Sequence, residues 1–92
     1  MSDVLVRVPA VLRPFAGDAS ELRVAAGSLA QVLERVAVRH PQLVPRVLTP
    51  DGQLRPFVNL FVDRTNARAL QGLATEVPAG AVVSILPAVA GG

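Results

Sequence analysis

Ser28-Leu29-Ala30-Gln31-Val32-Leu33-Glu34-Arg35-Val36, SLAQVLERV, has a helical period, and strand-like runs lie on both sides of it. Leu29, Val32, Leu33 and Val36 follow at i, i+3, i+4 and i+7, which puts four apolar side chains on one face. Gln31, Glu34, Arg35 and Arg39 fall on the others. Ser28 and Gln31 have the spacing of a capping box, in which the Ser hydroxyl accepts from the Gln amide and the Gln side chain reaches back. The helix therefore begins at Leu29. It ends near His40, because Pro41 disfavours helical geometry in its predecessor and lacks an amide hydrogen.

Upstream, Val4-Leu5-Val6-Arg7-Val8 alternates, with Val4, Val6 and Val8 on one face, and predicts the first strand. Arg13-Pro14-Phe15-Ala16-Gly17-Asp18 reads as a connection to a second strand, Glu21-Leu22-Arg23-Val24, so the two strands form a hairpin. Downstream, residues 41–56 hold Pro41, Pro45, Pro50 and Pro56 and an Asp51-Gly52 turn signal. They predict a long irregular connection with one short helical turn. Phe57-Val58-Asn59-Leu60-Phe61-Val62 is the strongest strand. With Asn59 outside, Val58, Leu60 and Val62 face the core, and Phe57 and Phe61 share the outer face. Asp63-Arg64-Thr65-Asn66 reads as a turn, Ala67-Arg68-Ala69 as a short strand and Pro78-Ala79-Gly80-Ala81 as a tight turn. Val82-Val83-Ser84-Ile85-Leu86 is the final strand, with Val83 and Ile85 inward and Leu86 outward.

This order, two strands, one helix, a long connection and then strands, fits an α+β fold in which one helix crosses one face of a mixed four- to five-stranded sheet. That is the β-grasp, or ubiquitin-like, arrangement. The uncovered face then carries Leu5, Arg7, Phe61, Ser84 and Leu86, and an exposed apolar patch of this kind marks a docking surface.

Ninety-two residues close one core and exclude a second domain. The division expected is a globular domain over residues 1–86 and a flexible tail over residues 87–92. The formal charge is only +2, yet the isoelectric point is about 11.1. Lys, Cys and Tyr are absent, so nothing loses a proton between His40 and the nine arginines. The arginines are dispersed along the chain and the only aromatics are three phenylalanines, so a basic stripe with stacking residues is missing and no nucleic-acid partner is expected. Without Cys there is no disulfide framework and no thiolate nucleophile or ligand. No metal site is expected. No apolar run reaches the length of a membrane span, and the N-terminus lacks a secretory pattern. No membrane partner is expected, and the cytoplasm is the expected location.

The chain finishes on Leu86-Pro87-Ala88-Val89-Ala90-Gly91-Gly92, whose last two residues cannot pack. Pro87 should not continue a ladder, so residues 87–92 should leave the fold as an arm, with a reach of roughly 20 Å at about 3.3 Å per residue. Glycine has no Cβ, so Gly91 and Gly92 suit a narrow channel that admits a bare carboxylate.

LPAVAGG, the preceding VVSIL, the PAGA turn and the PFVNLFVD strand resemble the ubiquitin-like sulfur carriers of the ThiS/MoaD family, and most of all its CysO-type branch in actinobacterial cysteine biosynthesis. The resemblance covers essentially the whole chain. It implies that the Gly92 carboxylate is adenylated by an E1-like, MoeB/ThiF-type activating enzyme that uses ATP, and is then converted to a thiocarboxylate. The modification is the cargo, and no bound cofactor is implied. A pyridoxal-phosphate enzyme of the cysteine synthase type, or another sulfur-acceptor enzyme if the carrier is shared with other sulfur-containing metabolites, would accept the sulfur, and a JAMM-type metalloprotease would restore Gly92. The chain itself would be a cosubstrate and not an enzyme. The resemblance places the partner-binding residues at Leu86, Pro87, Ala88, Val89 and Ala90, with Phe61 as their neighbour, and the sulfur on Gly92 next to Gly91.

Two other readings stand beside it: a MoaD-like small subunit of molybdopterin synthase, and a β-grasp interaction module with no carrier role. The absence of Cys and Lys also has two readings. It spares an activated acyl group from internal nucleophiles, or it reflects a GC-rich genome. His40 belongs to a helix end, where a cation is favoured by the dipole. Glu34 and Asp63 lie on separate elements and form no acid-base pair.

Overall fold

The computed structural model describes residues 3–87. Strand β1 (Asp3–Arg7) pairs antiparallel with β2 (Glu21–Ala25), in register from Asp3 opposite Ala25 to Arg7 opposite Glu21. After Gly27–Ser28, a two-residue strand β3, comes the helix α1 (Leu29–Arg39). Then follow β4 (Val58–Val62), β5 (Thr65–Asn66), β6 (Glu76–Val77) and β7 (Val82–Pro87). The main sheet runs β2-β1-β7-β4-β5, and β3 pairs with β6 in a separate two-stranded ladder. β7 is parallel to β1 and antiparallel to β4, so the sheet is mixed and β7 sits at its centre.

The helix starts and stops where its sequence says. Ser28 is the N-cap, its Oγ accepts from the Gln31 amide at 3.2 Å, and the Ser28 amide donates to Gln31 Oε1 at 3.0 Å. His40 is the C-cap and its N–H donates to the Val36 carbonyl. Leu29, Val32, Leu33 and Val36 are all fully buried, and burial of each contributes about 1.5–3 kcal/mol. They face Val4 and Val6 of β1, Leu60 of β4 and Val83 and Ile85 of β7 within one core. The alternation read from the strands holds at each of these positions.

Residues 67–69 are not a strand. Ala67–Ala69 form a 3-10 turn, because the Asn66 side chain accepts from the Arg68 amide and offers the backbone a local turn in place of a ladder. The short strand lies just before it, at Thr65–Asn66, where Phe61 faces Asn66 and Val62 faces Thr65. The β1–β2 connection is more ordered than its Pro and Gly content implies. Ala10–Ala16 form a 3-10 helix that buries Leu12 and Ala16, and Gly17 closes it at φ +61°, a conformation glycine adopts without Cβ strain. The expected turn in residues 41–56 is the 3-10 segment Val44–Arg46. The β3–β6 ladder had no sequence signal, since two-residue strands have no period.

Candidate functional site: the root of the C-terminal segment

β7 leads to the segment that the sequence singles out. Its side chains alternate: Val83 and Ile85 are 0% and 1% exposed, whereas Leu86 is 48% exposed. Leu86 therefore lies on the face that α1 leaves open. Asn59 stands opposite Leu86, and Phe61 opposite Ser84. Across the other edge of β7, Leu5 faces Val82 and Arg7 faces Ser84. The structure thus brings Leu86, Phe61, Ser84, Leu5 and Arg7 onto one sheet face, as their alternation predicts.

Two details of that face differ from the expectation. Phe61 is half-buried, not bare, because a central-strand position has neighbours on both sides, Ser84 on β7 and Asn66 on β5. Phe57 lies before β4 begins, in a turn, and is 73% exposed. Pro87 is also placed differently. It is the last residue of β7, in register with Val58, so the ladder runs one residue further than a boundary after Leu86. At a strand's last residue the missing amide hydrogen costs the sheet little. Ala88, Val89, Ala90, Gly91 and Gly92 lie outside the described residues.

The root of the segment is braced by groups that the sequence reading did not single out. The Arg68 guanidinium donates from Nη2 to the carbonyl oxygens of Val58 at 2.8 Å and Arg55 at 2.9 Å, and from Nε to Asn59 Oδ1 at 3.3 Å. Asn66 Nδ2 donates to the same oxygen at 3.3 Å. One arginine thereby holds the start of β4, the strand against which Leu86 and Pro87 pair. The available signal was a polar Asn59 in an otherwise apolar strand, which needs partners when half-buried. Asp63, at φ +54°, closes the far end of the same strand pair: its Oδ1 accepts from the Val82 amide at 3.0 Å and its own N–H donates to the Val82 carbonyl at 2.7 Å. Glu34 and Asp63 are both exposed. His40 caps α1 and packs against Gly17, where an added Cβ would lie 3.5 Å from its Cε1.

Among the described residues, no group of three or more His, Asp or Glu side chains is placed to hold a metal ion, and no helix is long and apolar enough to cross a membrane. The one ion pair among them, Arg7 Nε to Glu21 at 3.8 Å, is exposed and of little energetic weight. What the site offers is an open, partly apolar sheet face and a braced strand end.

A single helix laid across a mixed sheet, with the last strand central and its end half-open, defines the β-grasp, ubiquitin-like class of small domains. Residues 6–92 match the model of the ThiS family, and the chain belongs to that family. It is 35% identical to the sulfur carrier protein CysO of Mycobacterium tuberculosis, across 98% of this chain and 99% of the relative. It is also similar to the structure of the Amycolatopsis orientalis BexX/CysO complex, with a TM-score of 0.90 and 31% identity over 97% of this chain and 99% of that one. SAMP1 from Haloferax volcanii has a TM-score of 0.82 at 26% identity, over 98% and 99% of the two chains.

Proposed function

We propose that this ThiS-family protein is a sulfur carrier that bears its sulfur as a thiocarboxylate on Gly92. The observation that carries the reading is the extent of the family match, which runs through Gly91 and Gly92 to residue 92. It is supported by the exposed Leu86 on the sheet face that the helix leaves open. The chain acts as a cosubstrate in this reading, and the chemistry belongs to its partners.

A free carboxylate is a poor electrophile. In the proposed cycle an activating enzyme of the MoeB/ThiF type joins a Gly92 carboxylate oxygen to the α-phosphorus of ATP and releases pyrophosphate. Hydrosulfide then attacks the acyl carbon, AMP leaves, and one oxygen has been replaced by sulfur. A pyridoxal-phosphate enzyme of the cysteine synthase type joins the thiocarboxylate sulfur to the β-carbon of an aminoacrylate made from a serine ester, the Gly92 acyl group shifts from sulfur to nitrogen, and a JAMM-type metalloprotease hydrolyses the resulting amide, which releases cysteine and returns Gly92 to a carboxylate. The likeness to CysO supports cysteine as the product, and a cycle that draws on ATP and sulfide fits a cytoplasmic location. Leu86 and Phe61 provide the docking contact, while Pro87, Ala88, Val89, Ala90 and Gly91 carry the terminus into the partner's active site. Small side chains suit that passage.

The test is intact-mass spectrometry after incubation with ATP, sulfide and an activating enzyme of this type. The expected gain is about 16 Da, the difference between sulfur and oxygen, and it disappears when Gly92 is deleted. A mass unchanged by a panel of such enzymes would overturn the proposal and leave an interaction module.

A further inference from the structure

The arginines are dispersed along the chain, yet folding gathers some of them at one end of α1. A groove of about 700 Å³ opens there, lined by Phe15, Pro41, Gln42, Pro45, Arg46 and Arg55. A second hollow shares Phe15, Pro41 and Gln42 with it and is walled by Arg39 and His40. No carboxylate lines either one. Among the described residues the only ion pair is Arg7 with Glu21, so neither Arg46 nor Arg55 has an acidic partner there.

Both groove arginines are already positioned. The Arg46 guanidinium carbon lies 4.2 Å from the centroid of the Phe15 ring, a cation–π contact. Arg55 Nε donates to the Pro45 carbonyl at 2.8 Å. Side chains held before binding lose less entropy when a ligand arrives. A guanidinium also presents paired N–H groups that match a carboxylate. Pro41 and Pro45 add apolar wall and stiffen the backbone that leads into Arg46.

The groove lies near the root of the C-terminal segment. The Val58 amide donates to the Arg55 carbonyl at 3.0 Å, and Val58 is the residue that pairs with Pro87. A partner engaging Leu86 on the sheet face therefore has this basic groove within reach past the start of β4.

We propose that the Arg46–Arg55 groove is a second docking surface, and that its occupant is an acidic segment of a partner protein, with two or more carboxylates spaced to meet the two guanidinium groups. A nucleic acid fits less well, because the Phe15 ring already carries Arg46 and is not free to stack a base. The surface is independent of the sheet face and of the chemistry at Gly92, so it stands or falls separately from the carrier function.

The experiment is a backbone-amide NMR titration of the full chain with a deca-glutamate peptide at about 50 mM salt, where exposed charges are weakly screened. A decathymidylate oligonucleotide serves as the second probe. The peptide is expected to shift the amides of Phe15, Gln42, Arg46 and Arg55 and to leave Arg64, at the opposite end of β4, unmoved. Combining Arg46→Glu with Arg55→Glu should weaken peptide binding at least tenfold, whereas Arg64→Glu should change it less than twofold. The wild-type shift map decides the matter even if the double variant folds poorly. Absent shifts, shifts spread evenly over all the arginines, or oligonucleotide binding as tight as that of the peptide would each overturn the proposal.

Discussion

Ile85 and Leu86 are adjacent residues of similar size with opposite environments. Ile85 is 1% exposed and Leu86 48%, so their replacements separate stability from docking. Ile85→Ala leaves a cavity between sheet and helix and should cost about 2–5 kcal/mol in urea unfolding. Leu86→Asp should alter stability by only about 0.5 kcal/mol, as exposed substitutions do. In the proposed cycle it should slow the 16 Da mass gain at least tenfold, by weakening the encounter with the activating enzyme. Equal loss of stability in the two variants would contradict the face assignment, since a one-residue slip exchanges the faces of a strand. At the same scale, the Thr49 hydroxyl donates to Asp51 Oδ1 and, with a backbone hydrogen bond, holds the Asp51 carboxyl below its ordinary value of 3.8. Thr49→Val removes the main cause, so a carbon-detected NMR titration should find the Asp51 pKa moved up toward 3.8. Asp51 is fully exposed. A depressed carboxylate pKa favours the fold above its unfolded value and loses that contribution as pH falls through the folded one, here below about pH 3.8.

Among the elements, α1 is the most completely readable, because its signals are local. Capping, period and stop lie within residues 28–41, and the structure keeps all three. Ser28→Ala should cost about 1 kcal/mol in chemical denaturation, as N-cap losses do. Gly27 has close neighbours that sequence did not disclose. A Cβ there would lie 2.6 Å from Gln31 Oε1 and 2.7 Å from Arg35 Nη1. Gln31 Oε1 completes the capping box, and Arg35 Nη1 donates to the Ala25 and Ala26 carbonyls at 3.1 and 2.8 Å. Gly27→Ala therefore has to shift the ends of these two flexible side chains, and should destabilise by no more than Ser28→Ala in the same denaturation series. The elements that sequence misread are those too short for a period to separate strand from turn. Ala67-Arg68-Ala69 alternates like a strand, but Asn66 caps it into a 3-10 turn, and Arg68 is committed to β4.

At the scale of the whole molecule, β1, β7 and β4 form the centre of the sheet and the helix covers them, whereas residues 49–53 form a small surface turn held by Thr49. Amide hydrogen exchange should reflect this. Val6, Leu60, Val83 and Ile85 should exchange only through global unfolding, and the amides of residues 51–53 roughly a thousandfold faster or more. Uniform protection would contradict this distribution of stability.

Sequence by itself determined the hairpin, the capped helix, the inward and outward faces of β4 and β7 and the two terminal glycines, because each is written in residues close together in the chain, and the resemblance to carriers, because it adds such local signals along the whole chain. Only the tertiary structure decided which strands are neighbours. That choice put β7 between β1 and β4, half-covered Phe61, and set Asn59 against Leu86 with Arg68 bracing it from nine residues away. It also gathered Arg39, Arg46 and Arg55 around Phe15, from positions that look scattered when read in order. Contacts of this kind depend on where the connections bring distant segments together, and neither the period of a strand nor the caps of a helix record that.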